Sequence, residues 1–229
     1  MATNQYNNAQ YDDMWQDCLP TYVVIDVSGS MSRYQDLLNR TLKNLHSKLI
    51  NSPRVSEFAH MSIIAFSSQA WMVIEMTDIE YVSAMPEVIC NGTTNYSAAF
   101  DMVRTRIDID LPSLRQQHKR ALRPTMFFFT DGAPLDKEWQ SSFARLTDRS
   151  WSRRPHVITY GFGTASEAVL SKVATKAAFQ AEGQLGQEDA LTSAINSLLN
   201  SLVASASAGE MQIPTQAPGF RSIPLEYVE

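Results

Sequence analysis

Residues 23–31, Val-Val-Ile-Asp-Val-Ser-Gly-Ser-Met, combine the pattern of a buried strand with a set of oxygen ligands. Alternate residues of an extended segment point the same way, so Asp26, Ser28 and Ser30 can direct three oxygens toward one point. Gly29 permits the tight turn between the two serines. Because hard divalent cations bind such oxygens, the triplet indicates a metal-binding loop. It contains only one carboxylate, so further ligands must come from elsewhere in the chain.

Two later loops offer the missing ligands. Residues 91–95 read Asn-Gly-Thr-Thr-Asn, and residues 130–132 read Thr-Asp-Gly directly after the most apolar strand of the sequence. In parallel α/β sheets, ligands bind in the crevice beyond the carboxyl ends of the strands, where loops of this kind meet. Together with the first loop they would supply about five or six oxygens, a suitable shell for Mg²⁺ or Mn²⁺ when waters complete it.

The order of apolar runs and helical periodicity predicts an α/β fold with a three-layer, doubly wound, mostly parallel six-stranded sheet. Strands at 60–66 and 71–76 are joined by the short turn 67–69, which favours one antiparallel strand at the sheet edge. We expect one domain at residues 18–206, because 229 residues suffice for one large α/β core. A flexible N-terminal segment (1–17) and an extended or disordered tail (207–229) flank it.

Composition argues against several classes of partner. The net charge of −5 gives no general attraction to nucleic acid or to an anionic membrane. No apolar run is long enough to span a bilayer, and the N-terminus lacks the pattern of a secretion signal. The two cysteines, Cys18 and Cys90, are expected at opposite ends of the sheet as free thiols, which fits a reducing compartment. We therefore expect a cytoplasmic protein.

The three loops together resemble the metal-ion-dependent adhesion site of the von Willebrand factor A (vWA) domain, which is built on Asp-x-Ser-x-Ser, a Thr in a second loop and an Asp in a third. The matching residues are Asp26, Ser28, Ser30, Thr94 and Asp131. The family's second loop usually reads Gly-Gly-Thr-Asn, whereas residues 92–95 read Gly-Thr-Thr-Asn. The ligand role therefore passes to Thr94, and Thr93 is a weaker candidate. The resemblance covers about residues 20–204 and implies a Rossmann-like fold.

The resemblance also implies a protein-binding module rather than an enzyme. Neutral hydroxyls would dominate the metal's inner shell, so the ion keeps much of its positive charge and accepts a Glu or Asp from a partner protein. Mg²⁺ is the expected ion, with Mn²⁺ or Ca²⁺ as alternatives. Residues 14–26 and the size of the chain further resemble the bacterial TerY-type proteins of tellurium-resistance and chemical-stress clusters. That likeness implies a scaffold for a Ser/Thr kinase and a phosphatase in stress signalling.

Other interpretations of the same residues remain open. An Asp at the end of an apolar first strand is also the nucleophile of haloacid-dehalogenase-like phosphatases, which would make Asp26 a phosphotransfer residue. Those enzymes carry a second acid two residues later, where this chain has Ser28. The metal site is alternatively vestigial, with partners bound by the domain faces alone. Ser28, Ser30 and Asn95 also suit helix N-caps, and Asp131 with Gly132 suits a simple turn.

Basic residues between 115 and 123 and between 149 and 154 precede strands, so they belong to the opposite edge of the sheet. They are read as solvated charges, with a second face for an acidic or phosphorylated partner as the lesser alternative.

Overall fold

The computed structural model describes residues 15–183 and 186–226, which form one sheet of eight strands with helices on both faces. The strands are β1 Gln16–Asp26, β2 Ala59–Phe66, β3 Ala70–Asp78, β4 Lys119–Ala121, β5 Thr125–Thr130, β6 His156–Gly161, β7 Ala177–Ala181 and β8 Phe220–Ser222. They lie in the order β3-β2-β1-β5-β6-β7-β8, and β4 pairs with the first residues of β1. Only the two edge strands, β3 and β8, are antiparallel to their neighbours.

The helices form a layer on each face of the sheet. They are α1 Gln35–Ile50, α2 Pro53–Phe58, α3 Tyr96–Gln116, α4 Trp139–Leu146, α5 Glu167–Leu170 and α6 Gln187–Ala208, with short 3₁₀ helices at Gly29–Tyr34 and Ile79–Tyr81. Helices α1, α2 and α6 contact one another on one face, and α3 contacts α4 on the other. None of the helices in the described ranges is both long enough and apolar enough to cross a membrane.

The central strands bury both of their faces, which explains their continuous apolar sequences. In β1, Val23 and Ile25 join the core beneath α1 and α6, whereas Tyr22 and Val24 join the core beneath α3 and α4. The phenylalanines of β5 alternate between the same two cores. Since successive strand residues point to opposite faces, these apolar runs supply both cores at once.

Pairing between β1 and β5 places the candidate ligands at one edge. Their parallel register sets Ile25 beside Phe129, so the next residues, Asp26 and Thr130, are also neighbours. Helix α3 begins at the same edge, where the side chain of Asn95 accepts a hydrogen bond from the amide of Ala98. The expected capping role of Asn95 is therefore confirmed.

The doubly wound α/β architecture and the antiparallel edge strand are confirmed, but the expected count of six strands is wrong. Strand β4 was missed because it has only three residues and is separated from β5 by the segment that contains Pro124. Strand β8 was missed because the prolines around it are typical of an unstructured tail. Helix α4 begins at Trp139, and the 3₁₀ helix Gly29–Tyr34 leads directly into α1.

The predicted N-terminal segment and C-terminal tail can be compared with the structure only in part, because residues 1–14 and 227–229 lie outside the described ranges. Of the N-terminal segment predicted to be flexible, residues 1–14 lie outside the described residues, and β1 already begins at Gln16. After α6, the chain turns at Gly209 and returns along α6, where hydroxyls of that helix donate to the carbonyls of Gln212 and Pro218, and Ala217 and Phe220 are buried. The described part of the tail therefore packs on the domain and adds the edge strand β8.

Aromatic contacts fasten this returning tail. Phe129, Tyr160 and Phe179 stack across three neighbouring strands with ring centroids 5.1 Å apart in each pair. Phe220 of β8 meets the Tyr160 ring edge-on at 5.7 Å and is only 8% exposed. Its neighbour Arg221 instead forms a surface ion pair with Glu167.

We expect Phe220→Ala to lower the free energy of unfolding by about 3 kcal/mol, because it removes a buried ring from an aromatic cluster. Arg221→Ala is the matched control on the same strand and should cost less than about 1 kcal/mol, as an exposed ion pair does. Urea denaturation followed by circular dichroism measures both values. Equal, small losses in the two variants would show that β8 does not contribute to the core.

Candidate metal centre

Asp26 ends β1 and is almost fully buried, with 1% of its surface exposed. Its Oδ1 accepts a hydrogen bond from the amide of Ser28 at 2.9 Å, and its Oδ2 accepts one from the hydroxyl of Thr130 at 2.8 Å. The first bond closes the turn after β1, and the second ties that turn to β5. Both carboxylate oxygens are therefore held in fixed directions at the carboxyl edge of the sheet.

A line of hydroxyls connects this loop with Asp131. The hydroxyl oxygens of Ser28 and Ser30 lie 3.1 Å apart, and the Ser30 hydroxyl donates to Oδ1 of Asp131 at 2.8 Å. Ser28 and Asp131 are each 2% exposed, whereas Ser30 is exposed. Ser28 is the N-cap of the 3₁₀ helix by position, but its side chain makes no capping hydrogen bond. The two serine hydroxyls are thus directed at the cluster rather than at the helix.

Thr94 reaches the same place from the loop before α3. It is buried, and its hydroxyl oxygen would lie 3.6 Å from a Cβ added at Gly132, so the two loops are in contact. Among the described residues its hydroxyl forms no hydrogen bond to the other four candidates. The structure therefore links Asp26, Ser28, Ser30 and Asp131 by hydrogen bonds and places Thr94 beside them.

The backbone at Gly92 explains how the second loop comes so close to the first. Its carbonyl accepts a hydrogen bond from the amide of Gly29 at 2.9 Å. Gly92 has a φ of +79°, where an L side chain is strained, and a Cβ there would lie 2.7 Å from Oγ of Ser68, so glycine is favoured. Thr93 is exposed, and its hydroxyl lies 3.0 Å from that same Ser68 Oγ. Its side chain is engaged by the β2–β3 turn, unlike that of Thr94.

Two residues that support the centre were not predicted. Thr130 is fully buried, and besides its bond to Asp26 it accepts a hydrogen bond from the hydroxyl of Tyr96 at 3.0 Å. The Tyr96 hydroxyl also lies 2.8 Å from the carbonyl of Gly132. Thr130 directly precedes a predicted ligand, which was the only available signal, whereas Tyr96 follows the capping Asn95 without any distinctive pattern.

Asp136 was also missed as a supporting residue. Its carboxylate accepts hydrogen bonds from the amides of Tyr96 and Ser97 and from the Ser97 hydroxyl, at the first turn of α3. A carboxylate at a helix N-terminus satisfies free amides and complements the helix dipole. Asp136 therefore fastens the loop after Asp131 to the start of α3, next to Thr94.

The two carboxylates of the centre are electrostatically strained without a cation. Burial raises the pKa of Asp26 to about 6, although hydrogen bonds from Ser28 and Thr130 act in the opposite direction. Burial also raises the pKa of Asp131, while the bond from Ser30 and the charge of Arg33 lower it. Each shift means that the charged form is disfavoured in the folded protein. A bound divalent cation would relieve this cost.

The donor set fits a hard divalent cation. It offers two carboxylates and three hydroxyls, all oxygen donors, and waters would fill the remaining positions. In the part of the chain that the structure describes, no group of three or more His, Cys, Asp or Glu side chains is gathered for metal binding. The candidate centre contains two carboxylates and three neutral hydroxyls. It would not count as such a group, so this absence is consistent with it.

The fold and this edge cluster define a Rossmann-like domain with a ligand-binding centre at the carboxyl ends of its strands. Residues 21–133 match the family model of the von Willebrand factor type A domain, and this range spans all five candidate ligands. The chain therefore contains a von Willebrand factor type A domain. No curated protein sequence matches it.

Solved structures share the fold at low sequence identity. The von Willebrand factor type A protein from Catenulispora acidiphila has a TM-score of 0.58 and 15% identity over 81% of this chain and 43% of its own. The pilus adhesin SpaC from Lactobacillus rhamnosus GG has a TM-score of 0.63 and 12% identity over 82% of this chain and 30% of its own.

Proximal thread matrix protein 1 from the mussel byssus is similar as well. One structure of it has a zinc-occupied metal-ion-dependent adhesion site, a TM-score of 0.56 and 14% identity over 82% of this chain and 48% of its own. The present chain thus spans less than half the length of each of these three proteins.

Replacing Asp26 with Asn should stabilise the metal-free protein but remove its stabilisation by Mg²⁺. In a chelator at neutral pH, Asp26→Asn should raise the free energy of unfolding by about 1 to 2 kcal/mol, because it removes a buried charge. With millimolar MgCl₂ the native protein should gain thermal stability by mass action, and the variant should not. Differential scanning calorimetry measures both effects.

The exposed, ion-paired Asp108 provides the matched control, since Asp108→Asn removes the same charge on the surface of α3. Its response to MgCl₂ should equal that of the native protein. An Asp26→Asn variant that is still stabilised by MgCl₂ to the native extent would contradict the assignment of Asp26.

Proposed function

We propose that this domain is a metal-ion-dependent protein-binding module that acts as an adaptor or scaffold. In this proposal Asp26, Ser28, Ser30, Thr94 and Asp131 hold one divalent cation, with Mg²⁺ favoured and Mn²⁺ or Ca²⁺ as alternatives. The single observation that carries it is the line of hydroxyls between two buried carboxylates at the carboxyl edge of the sheet.

The charge balance of the centre explains why a partner would bind there. Three of the five side chains are neutral hydroxyls, so the cation retains attraction for a further anionic oxygen. Ser30 is exposed, which leaves one side of the cluster accessible to another protein. A Glu or Asp of the partner would complete the shell in a partly dehydrated position, where a charged contact is stronger than on an open surface.

The phosphotransfer alternative has less support. Asp26 is 1% exposed, whereas a nucleophile needs an oxygen that faces its substrate. Ser28 stands where such enzymes carry their general acid, and a serine hydroxyl does not supply that proton. We therefore propose a binding role without an enzymatic step.

The cellular role that we propose is narrower and rests on the resemblance of residues 14–26 to TerY-type proteins. It is a cytoplasmic scaffold in a bacterial tellurium-resistance or stress-signalling system, with a Ser/Thr kinase and a phosphatase as partners. Two buried free cysteines, Cys18 and Cys90, fit the reducing environment that this role requires. Neither nucleic acid nor a membrane is part of the proposal.

The double substitution Ser28→Ala and Ser30→Ala should weaken Mg²⁺ and Mn²⁺ binding at least about tenfold, because each removes one direct oxygen ligand. Circular dichroism should show an unchanged fold, since two lost side-chain hydrogen bonds cost about 1 kcal/mol each. Isothermal titration calorimetry measures the affinities. Ser32→Ala, on the exposed surface of the same 3₁₀ helix, is the matched control and should bind as the native protein does.

Co-purification tests the proposed partners. The tagged protein should retain a Ser/Thr kinase or a phosphatase from bacterial extract in MgCl₂ and release it in chelator, because the partner's carboxylate binds through the metal. The doubly substituted protein should retain neither partner. Retention that is equal with and without chelator would contradict the metal-dependent mode of binding.

A further inference from the structure

An exposed leucine is held in a fixed position beside the candidate metal centre. Leu135 is 71% exposed, and its amide donates a hydrogen bond to the carbonyl of Thr94 at 2.9 Å. The next residue, Asp136, is bound through its carboxylate to the first amides of α3. The backbone of Leu135 is therefore restrained on both sides, next to a proposed metal ligand, while its side chain faces solvent.

A second exposed aliphatic side chain lies on the loop that leads to Thr94. Ile89 is 66% exposed, although its neighbours Val88 and Cys90 are both buried. Val88 exchanges two hydrogen bonds with the side chain of Asn39, and the Cys90 amide donates to the side chain of Gln35. Both of these partners belong to α1, so this loop is fixed as firmly as the loop of Leu135.

The two aliphatic residues approach the centre from different sides. Ile89 is fastened to α1 and Leu135 lies against the start of α3, and these helices cover opposite faces of the sheet. Between them, Asn91 donates its amide to the carbonyl of Val27, directly after Asp26. Single exposed aliphatic residues are common on proteins. Two that are held rigidly on either side of one centre form a preorganised surface.

The charge around the centre favours an acidic partner. Arg33 is exposed on the 3₁₀ helix that contains Ser30, three residues after that candidate ligand. Its guanidinium lies 4.8 Å from the ring centroid of the next residue, Tyr34. A bound divalent cation would offset the charges of Asp26 and Asp131, so Arg33 would add one positive charge beside the centre, on a chain whose net charge is −5.

We propose that the surface formed by Ile89, Leu135 and Arg33 around Ser30, called here the flanking surface, recognises a protein segment whose metal-binding Glu or Asp lies between large apolar side chains. The inference rests on the proposed metal-dependent function and adds the sequence class of the partner. Apolar contacts on both sides would exclude water from the carboxylate–metal contact, which strengthens it. Arg33 would favour a second acidic residue in the same segment.

A displayed library of random peptides tests this inference. The library is selected on the full chain in MgCl₂ and eluted with chelator, and the recovered peptides are sequenced and then measured individually by fluorescence anisotropy. We expect the recovered peptides to share an Asp or Glu with large apolar residues on both sides. Leu135→Ser and Ile89→Ser should each weaken binding of such a peptide about five- to tenfold, from the loss of a partly buried aliphatic contact.

Ile109→Ser is the matched control, because Ile109 is 51% exposed on α3 and lies more than three helical turns from its start. It should bind the peptide as the native protein does, and all three variants should bind Mg²⁺ with native affinity in calorimetry. Two outcomes would overturn this inference but not the proposed function. One is recovery of metal-dependent peptides whose acidic residue has no apolar neighbours. The other is peptide binding that neither Leu135→Ser nor Ile89→Ser weakens. Recovery of no metal-dependent peptide at all would refute the proposed function beneath it.

Discussion

The enclosure of two carboxylates at one edge of the sheet constrains the rest of the centre. Asp26 and Asp131 are each 2% exposed or less, and burial raises the pKa of both. A buried carboxylate is tolerated only when hydrogen bonds or a cation offset its lost hydration. Here the polypeptide supplies part of that compensation through Ser28, Ser30 and Thr130. In the proposed function a divalent ion would supply the remainder, so binding of that ion would stabilise the fold.

The fold meets this constraint by assigning separate tasks to strands, helices and loops. Strands β1 and β5 set the positions of the two carboxylates, because their register is fixed by side chains packed into both cores. Helix α3 anchors the two remaining loops, through Asn95 at its N-cap and through the carboxylate of Asp136. The candidate ligands are therefore held by rigid elements, which precise coordination geometry would require.

Much of this arrangement was predictable from sequence, for identifiable reasons. The ligand loops follow apolar runs that are long enough to be recognised as strands, and parallel strands bring their carboxyl ends together. The two cores followed equally from the alternation within those runs. Short elements were not predictable: three residues at 119–121 and three at 220–222 carry too little periodicity to indicate a strand.

The supporting contacts of the centre were not predictable either. Asp136 caps a helix that begins 40 residues earlier in the chain, and local patterns contain no information about such a distant contact. Thr130 and Tyr96 acquire their roles only when β5 and α3 are packed together, since their hydroxyls bond across that interface. Sequence reasoning thus finds candidate ligands, because a divalent ion would dictate their residue types. It misses the residues that orient those ligands, whose types are dictated by tertiary packing.

The difference between the candidate ligands and the residues around them also affects which partner would bind. In the proposed function the ion would select only for a carboxylate, which nearly every protein surface offers, so the metal contact alone would give little specificity. Selectivity must then come from the side chains around the ion, which are carried by the loops at 88–95 and 132–136 rather than by the strands. Those loops are nevertheless fastened to α1 and α3 by side-chain hydrogen bonds. Because they are already ordered, binding there loses less conformational entropy than binding to a mobile loop would. Substitutions at exposed loop positions such as Ile89 and Leu135 would therefore alter partner choice while leaving the metal ligands and the fold intact.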